Sequence, residues 1–178
     1  MASLNTLSAP ALAPHSGAST NPIALAIIVA LFIVAAAVSA QRKDVTQGFD
    51  EVAHLSYVAH LQSTGDLWPA LKSMRLLDPQ NFRFTGEANY LNHPSPFYLL
   101  LAKLGPAVEG HPASELAHRL INILLVAIGL TAVLAIGFAA GLPREQFYAC
   151  AVPIVFIPVL APLAGAVNND NLAFVAAP

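Results

Sequence analysis

The chain has 178 residues, 56% hydrophobic and 10% charged, with a formal net charge of −2 and a mean hydropathy of +0.63. An ordinary soluble domain carries roughly 25% charged residues, so a soluble core does not account for this composition. The near-neutral balance leaves no footprint for nucleic acid.

Residues 1–21 are rich in Ala, Ser and Pro and contain no Lys or Arg, the composition of a disordered tail. Pro22 to Ala40 is an uninterrupted apolar run of 19 residues. At 1.5 Å per residue it reaches about 28 Å, enough to cross a hydrocarbon core of about 30 Å. A cleavable signal peptide is the rival reading, because Val38-Ser39-Ala40 resembles a cleavage site. Against it, the segment before the run has no positive charge and the run is longer than such peptides use.

Arg42, Lys43 and Asp44 end this first span, expected over 22–41, and a polar-to-mixed region follows over 42–115. Within it, Asp50 to Ser63 is predicted as a short helix with Val52, Leu55, Val58 and Ala59 on one side. Tyr57 and Trp68 suit a membrane interface. A second short helix begins at Pro96 and stops at Gly105-Pro106; it is too short to span and is expected to lie in the interface or to dip into it.

Two more spans are expected, over 116–142 and 147–167, joined by the tight turn Pro143-Arg144-Glu145. Pro153, Pro158 and Pro162 predict a bent or locally unwound third span. Cys150 lies inside it; a lone cysteine excludes an internal disulfide, and its apolar surroundings predict a buried inert thiol. Residues 171–178 read as a truncated fourth span. The expected fold is therefore all-α: a polytopic membrane protein with three full transmembrane helices, the start of a fourth, and two short juxtamembrane helices in a long first outer loop. Arg144 in its short turn favours a cytoplasmic turn, which sets the 42–115 loop and Asn168–Asn171 on the outer side.

Three constellations carry chemistry. Asp50 and Glu51 form a carboxylate pair at the mouth of the first span, where an ionisable residue is a functional candidate. On a helix they point about 100° apart, so one is suited to act as base while the other orients a partner. The alternative is a helix start at which acids meet the dipole. His54 stands at i+4 from Asp50 and i+3 from Glu51; Glu51-x-x-His54 is half of a metal site, and a hydrogen-bonding or phosphate-facing role is preferred. Asn92-His93-Pro94-Ser95-Pro96 forms the second constellation, with Arg83, Lys72 and Arg75 available ahead of it to neutralise a phosphate. Asn168-Asn169-Asp170-Asn171 is the third, a donor and acceptor cluster suited to sugar hydroxyls or a cation.

Phe49-Asp50-Glu51-Val52-Ala53-His54-Leu55-Ser56-Tyr57 after the first span, Gly65-Asp66-Leu67-Trp68-Pro69, Asn92-His93-Pro94-Ser95-Pro96-Phe97-Tyr98 and Asn168-Asn169-Asp170-Asn171-Leu172 occur in an order that resembles the C-type integral-membrane glycosyltransferases. That superfamily includes the protein O-mannosyltransferases and the lipid A aminoarabinose transferases. The resemblance covers residues 22–178 and corresponds to the amino-terminal part of such an enzyme, a fragment expected to be inactive alone. It implies a polyprenyl-phosphate-linked sugar donor, an acceptor that stays open, and a site on the outer face of a bacterial plasma membrane. Asp50 and Glu51 would be catalytic, with Asp50 as base in an inverting transfer. His54, Tyr57, Arg83, Asn92, His93, Asn169 and Asp170 would bind substrate. No metal ligand is assigned and no cofactor is fixed, a divalent cation being left open. Ser95 between Pro94 and Pro96 departs from the more proline-rich form of the second motif. A transporter, which the bent third span would suit, and a non-catalytic membrane scaffold are the alternatives.

Overall fold

Asn21 starts the first helix: its side-chain oxygen accepts from the Ile23 amide at 2.9 Å, and Pro22 fills the first helical position, where the missing N–H costs nothing. In the computed structural model, which describes residues 21–91 and 96–176, helix α1 spans Pro22–Arg42. Ile28, Phe32, Ala36 and Ala40 recur every fourth residue and form its buried stripe; Ile23, Ile27, Leu31 and Val34 are exposed.

Helix α2 (Glu51–Thr64) leads to a 3-10 turn at Leu71–Ser73 and to the antiparallel strands β1 (Arg75–Leu77) and β2 (Phe84–Ala88). Arg75 pairs with Ala88 and Leu77 with Phe84, with an irregular register between them. Helices α3 (Pro96–Leu104) and α4 (Ser114–Ala139) follow, and then α5 (Arg144–Val155), α6 (Leu160–Ala164) and α7 (Asp170–Ala176). The chain is mostly helical, 64% helix against 5% strand, so the expected all-α class is corrected by one hairpin in the 42–115 loop. This hairpin is held from outside: the Ser56 hydroxyl of α2 accepts from the Leu77 amide at 2.8 Å, a contact no local pattern announces.

Two of the helices, α1 and α4, are long and apolar enough to cross a membrane. Their packed faces meet through Ile28, Phe32 and Ala36 against Ile123, Val126, Leu130 and Leu134. On α4 the exposed residues Leu116, Leu120, Leu124 and Ile128 make a second outward stripe. Close approach of α6 to α1 depends on Gly165, where an added Cβ would lie 2.7 Å from the Ala36 carbonyl oxygen and 3.1 Å from the Ala40 nitrogen. The bend expected in the third apolar stretch is a break between α5 and α6. Pro153 removes a helix donor, and Pro158 pushes Ile157 out of helical geometry.

Three local expectations change. The α2 helix is buried almost all round, between β1 and α3, rather than along one side: Ala53, Leu55, Tyr57, Val58, Ala59 and Leu61 are all in the core. Tyr57 accordingly stacks on Tyr98 at 4.0 Å between ring centroids and does not face an interface, whereas Trp68 is exposed. Helix α3 buries Phe97, Tyr98 and Leu101 against α2, covering the loop's core. Cys150 is exposed on the outer surface of α5, not buried. The expected tail over 1–21 lies, but for Asn21, outside the described residues.

Candidate functional site

Three consecutive left-handed residues deliver the chain from α1 to α2: Gly48 at φ 106°, Phe49 at φ 57° and Asp50 at φ 53°. Such values are strained for Phe and mildly so for Asp, and persist where the surroundings over-determine them. Here the Lys43 ammonium sits 3.9 Å over the Phe49 ring. On the other side, the Tyr90 hydroxyl donates to Asp50 Oδ1 at 2.9 Å. Asp50 stands at the N-cap of α2, where the helix-start alternative places it, but its side chain makes no cap on the α2 amides. It stands exposed on a cavity of about 210 Å³ lined by Val45, Thr46, Gly48, Glu51, Val52 and Tyr90. Burial, the hydrogen bond to Asp50 and the charge of Asp50 together push the Tyr90 phenol up to about 12, which keeps it a proton donor at any physiological pH.

One residue further, the environment reverses. Glu51 is 1% exposed, and its carboxylate accepts from Arg119 Nε at 2.8 Å, Arg119 Nη2 at 2.7 Å and the Val167 amide at 2.8 Å. Arg119, 3% exposed, also donates through Nη1 to the carbonyls of Ala40 at 2.7 Å and Lys43 at 2.8 Å, and pairs with Glu115 one turn before it. A bidentate guanidinium–carboxylate pair with its remaining donors satisfied is the geometry in which burying both charges is tolerable. The cluster joins four segments: the end of α1, whose terminal carbonyls it caps, the start of α2, the first turns of α4, and the chain before α7. Glu51, expected to assist catalysis, thus has both oxygens engaged and acts as an anchor beneath Asp50.

His54 does not turn toward either carboxylate. Its Nδ1 lies 2.7 Å from the Tyr98 hydroxyl, and the ring is buried. The half metal site Glu51-x-x-His54 therefore does not converge: one member serves Arg119 and the other Tyr98. Among the described residues no cluster of three or more His, Cys, Asp or Glu side chains is arranged to hold a metal ion. The Tyr98 hydroxyl is raised far above its usual range, first by burial, then by Tyr57 and by the charge of Asp170. Asp170 itself is exposed at the first position of α7.

The Asn168–Asn171 segment divides its labour. Asn168 accepts from the Asp170 amide at 2.8 Å, and Asn169 is half-buried. Asn171 is fully inside, donating to Asn122 Oδ1 at 2.8 Å and to the carbonyls of Ala166 and Leu163, which ties α7 to α4 and α6. Arg83 is exposed on the turn between β1 and β2 and does not line the Asp50 cavity. Lys72 and Arg75 are near the strand start, where Arg75 Nη1 donates to the carbonyls of Lys72 and Met74. Asn92 and His93 lie outside the described residues.

Arg119, Tyr90 and Asn122 are the residues that sequence reasoning passed over as site members. A signal existed for Arg119, since a base in the first turns of an apolar helix calls for a buried acid to pair with it. None existed for Tyr90, whose position follows from the hairpin. Comparison of the chain with protein-family models, with curated proteins and with solved structures finds no match.

Proposed function

We propose that this protein is an integral-membrane glycosyltransferase that moves a sugar from a polyprenyl-phosphate carrier to an acceptor hydroxyl, with Asp50 as the base. The observation that carries the reading is the pairing of an exposed, Tyr90-held carboxylate on a cavity with a saturated ionic anchor directly beneath it, at the end of a helix able to cross a membrane. In the proposed step the acceptor O–H gives its proton to Asp50. The acceptor oxygen forms a bond to the anomeric carbon, the bond from that carbon to the phosphate oxygen breaks, and polyprenyl phosphate leaves with the electron pair. A single displacement of this kind inverts the anomeric configuration. Tyr90 holds the base in place and Glu51 positions it through the start of α2. Asp170 and Asn169, at the start of α7, are proposed to face the sugar and its phosphate, while His54 and Tyr57, both buried against Tyr98, support the loop's core from within.

In this reading α1 and α4 are two of the spans, α5 and α6 together make a third crossing bent at Pro153 and Pro158, and α7 begins a fourth. The protein resides in a bacterial plasma membrane with the Asp50 cavity on the outer face. The test is sugar transfer from a polyprenyl-phosphate donor by the intact protein carrying Asp50→Asn. A loss of about 10²–10⁴-fold, the usual contribution of a general base, is expected with membrane insertion unchanged. Full activity in this variant removes Asp50 from the mechanism. The break between α5 and α6 favours transport as a second reading. Solute flux that is insensitive to Asp50→Asn would select it.

A further inference from the structure

Among the described residues of the 42–115 loop, the large hydrophobic side chains left exposed are Leu67, Trp68, Tyr90 and Leu104. Tyr90 is bonded to Asp50 and belongs to the candidate site. The other three share one end of the α2–α3 pair. Leu104 closes α3, and Leu67 and Trp68 follow the Gly65 that ends α2. These ends are tied together, since Gln62 Nε2 donates to the Pro106 carbonyl at 2.9 Å and Gln62 Oε1 accepts from the Val108 amide at 3.0 Å. Trp68 is the most open of the group at 73% exposure.

The height of this end is fixed by α4. Two consecutive residues of α4 hold the α2–α3 pair at opposite ends. Arg119 takes Glu51 at the start of α2. His118 packs on Gly105 just past α3, where an added Cβ would collide with the imidazole ring. From Glu51 to Gln62 helix α2 covers about 16 Å, whereas adjacent residues of α4 differ in height by about 1.5 Å. The pair therefore lies across α4, level with its second turn, and does not stand up from it. Leu116 and Leu120, outward-facing on α4, bracket the same level. In a span that begins at Leu116, this is the boundary between headgroups and hydrocarbon.

We propose that Leu67, Trp68 and Leu104 form an interfacial anchor, set in the headgroup region of the bilayer at the end of α2 remote from Asp50. The anchor rests on the reading of α4 as a membrane span. Tryptophan concentrates at this depth because it has an apolar ring to bury and an N–H to leave among the headgroups. The consequence falls on the candidate site. With Arg119 holding one end of α2 and lipid the other, the helix is supported at both ends. The Asp50 cavity is thereby kept at the height where the phosphate of a lipid carrier lies.

Trp68 is the one tryptophan of the chain, so its emission reports this position alone. The full chain is placed in phosphatidylcholine vesicles whose acyl chains are unlabelled, brominated near the headgroup end, or brominated near the methyl end. Trp68 emission should be blue-shifted from that of tryptophan in water. Shallow bromines should quench it more than deep ones, and aqueous acrylamide only weakly. Leu104→Trp in a Trp68→Phe background should copy this pattern. Leu31→Trp in the same background, on the exposed face of α1 at mid-span, should show the reverse order of bromine quenching.

Trp68 emission that bromines leave unchanged while acrylamide quenches it fully overturns the anchor by placing the ring in water. Blue-shifted emission insensitive to both quenchers also overturns it, because protein would then cover the ring. So does stronger quenching by the deep bromines. Leu31→Trp separates the two levels of the inference. Deep quenching there with none at Trp68 refutes the anchor alone, and no bromine quenching at either position refutes the span and the anchor with it.

Discussion

The layer around Arg119 and the cavity around Asp50 begin one residue apart, yet they solve opposite problems. In the layer, Glu51 is buried and its two oxygens receive three N–H donors from Arg119 and Val167. In the cavity, Asp50 is exposed, and among the described residues the Tyr90 hydroxyl is the one hydrogen-bond donor to its carboxylate. A carboxylate saturated by charged donors is rigid and has no lone pair free for a substrate; one held by a single phenol keeps lone pairs for one. Adjacent carboxylates therefore need not share a role. The inner one fixes the backbone from which the outer one is presented.

The contrast breaks most easily at Arg119. Arg119→Ala leaves Glu51 buried without its counter-charge and should cost about 3–5 kcal/mol, read as the largest fall in denaturant or thermal midpoint in detergent. Asp50→Asn, which keeps a side chain that tolerates the left-handed backbone, should change stability by no more than about 0.5 kcal/mol. Equal losses in the two variants would mean that both carboxylates are structural.

Gly165 offers a second, smaller lever. The segment that carries the Val167 amide to Glu51 sits against α1 only because Gly165 has no side chain. Gly165→Val should therefore cost about 1–3 kcal/mol by overpacking. It should also speed hydrogen exchange at the Val167 amide, while the Asp50–Tyr90 contact stays intact. A neutral result would show that the close approach of α6 is not needed for the layer.

The mildest test is titration of Tyr90. Its folded-state value is raised from 10.0 to about 12, by burial first and by Asp50 second, so the neutral phenol is favoured in the folded state. The stability it contributes is fully present below pH 10 and fades as pH rises toward 12. Absorbance at 295 nm, taken as the difference between the parent chain and Tyr90→Phe, isolates this tyrosine. Asp50→Asn should shift its titration back toward 10.0, and an unmoved curve would detach Tyr90 from Asp50.

Much of this architecture is legible from one-dimensional pattern. The long helices α1 and α4 follow from apolar runs bounded by Asn21-Pro22 and by Gly141, and the break after Val155 follows from Pro153 and Pro158. The carboxylate pair is visible by its place after the first run. Where pattern and fold part company is the 42–115 loop. Its helices look one-sided because a sequence cannot show that the other side is covered. In the fold, Ser56 bonds β1, Tyr57 stacks on Tyr98 and Asn89 Nδ2 donates to the Ala53 carbonyl at 2.9 Å, so the polar flank of α2 is inside as well.

The helix-rich class, the two helices fit to cross a membrane and the position of Asp50 are thus written in the chain itself, because periodicity, proline and apolar length act within a few residues of one another. Packing alone assigned Glu51 to Arg119, 68 positions away, and Asp50 to Tyr90, 40 away. Partners at such distances are chosen by which helices pack together and where water is excluded, and no local spacing encodes that choice.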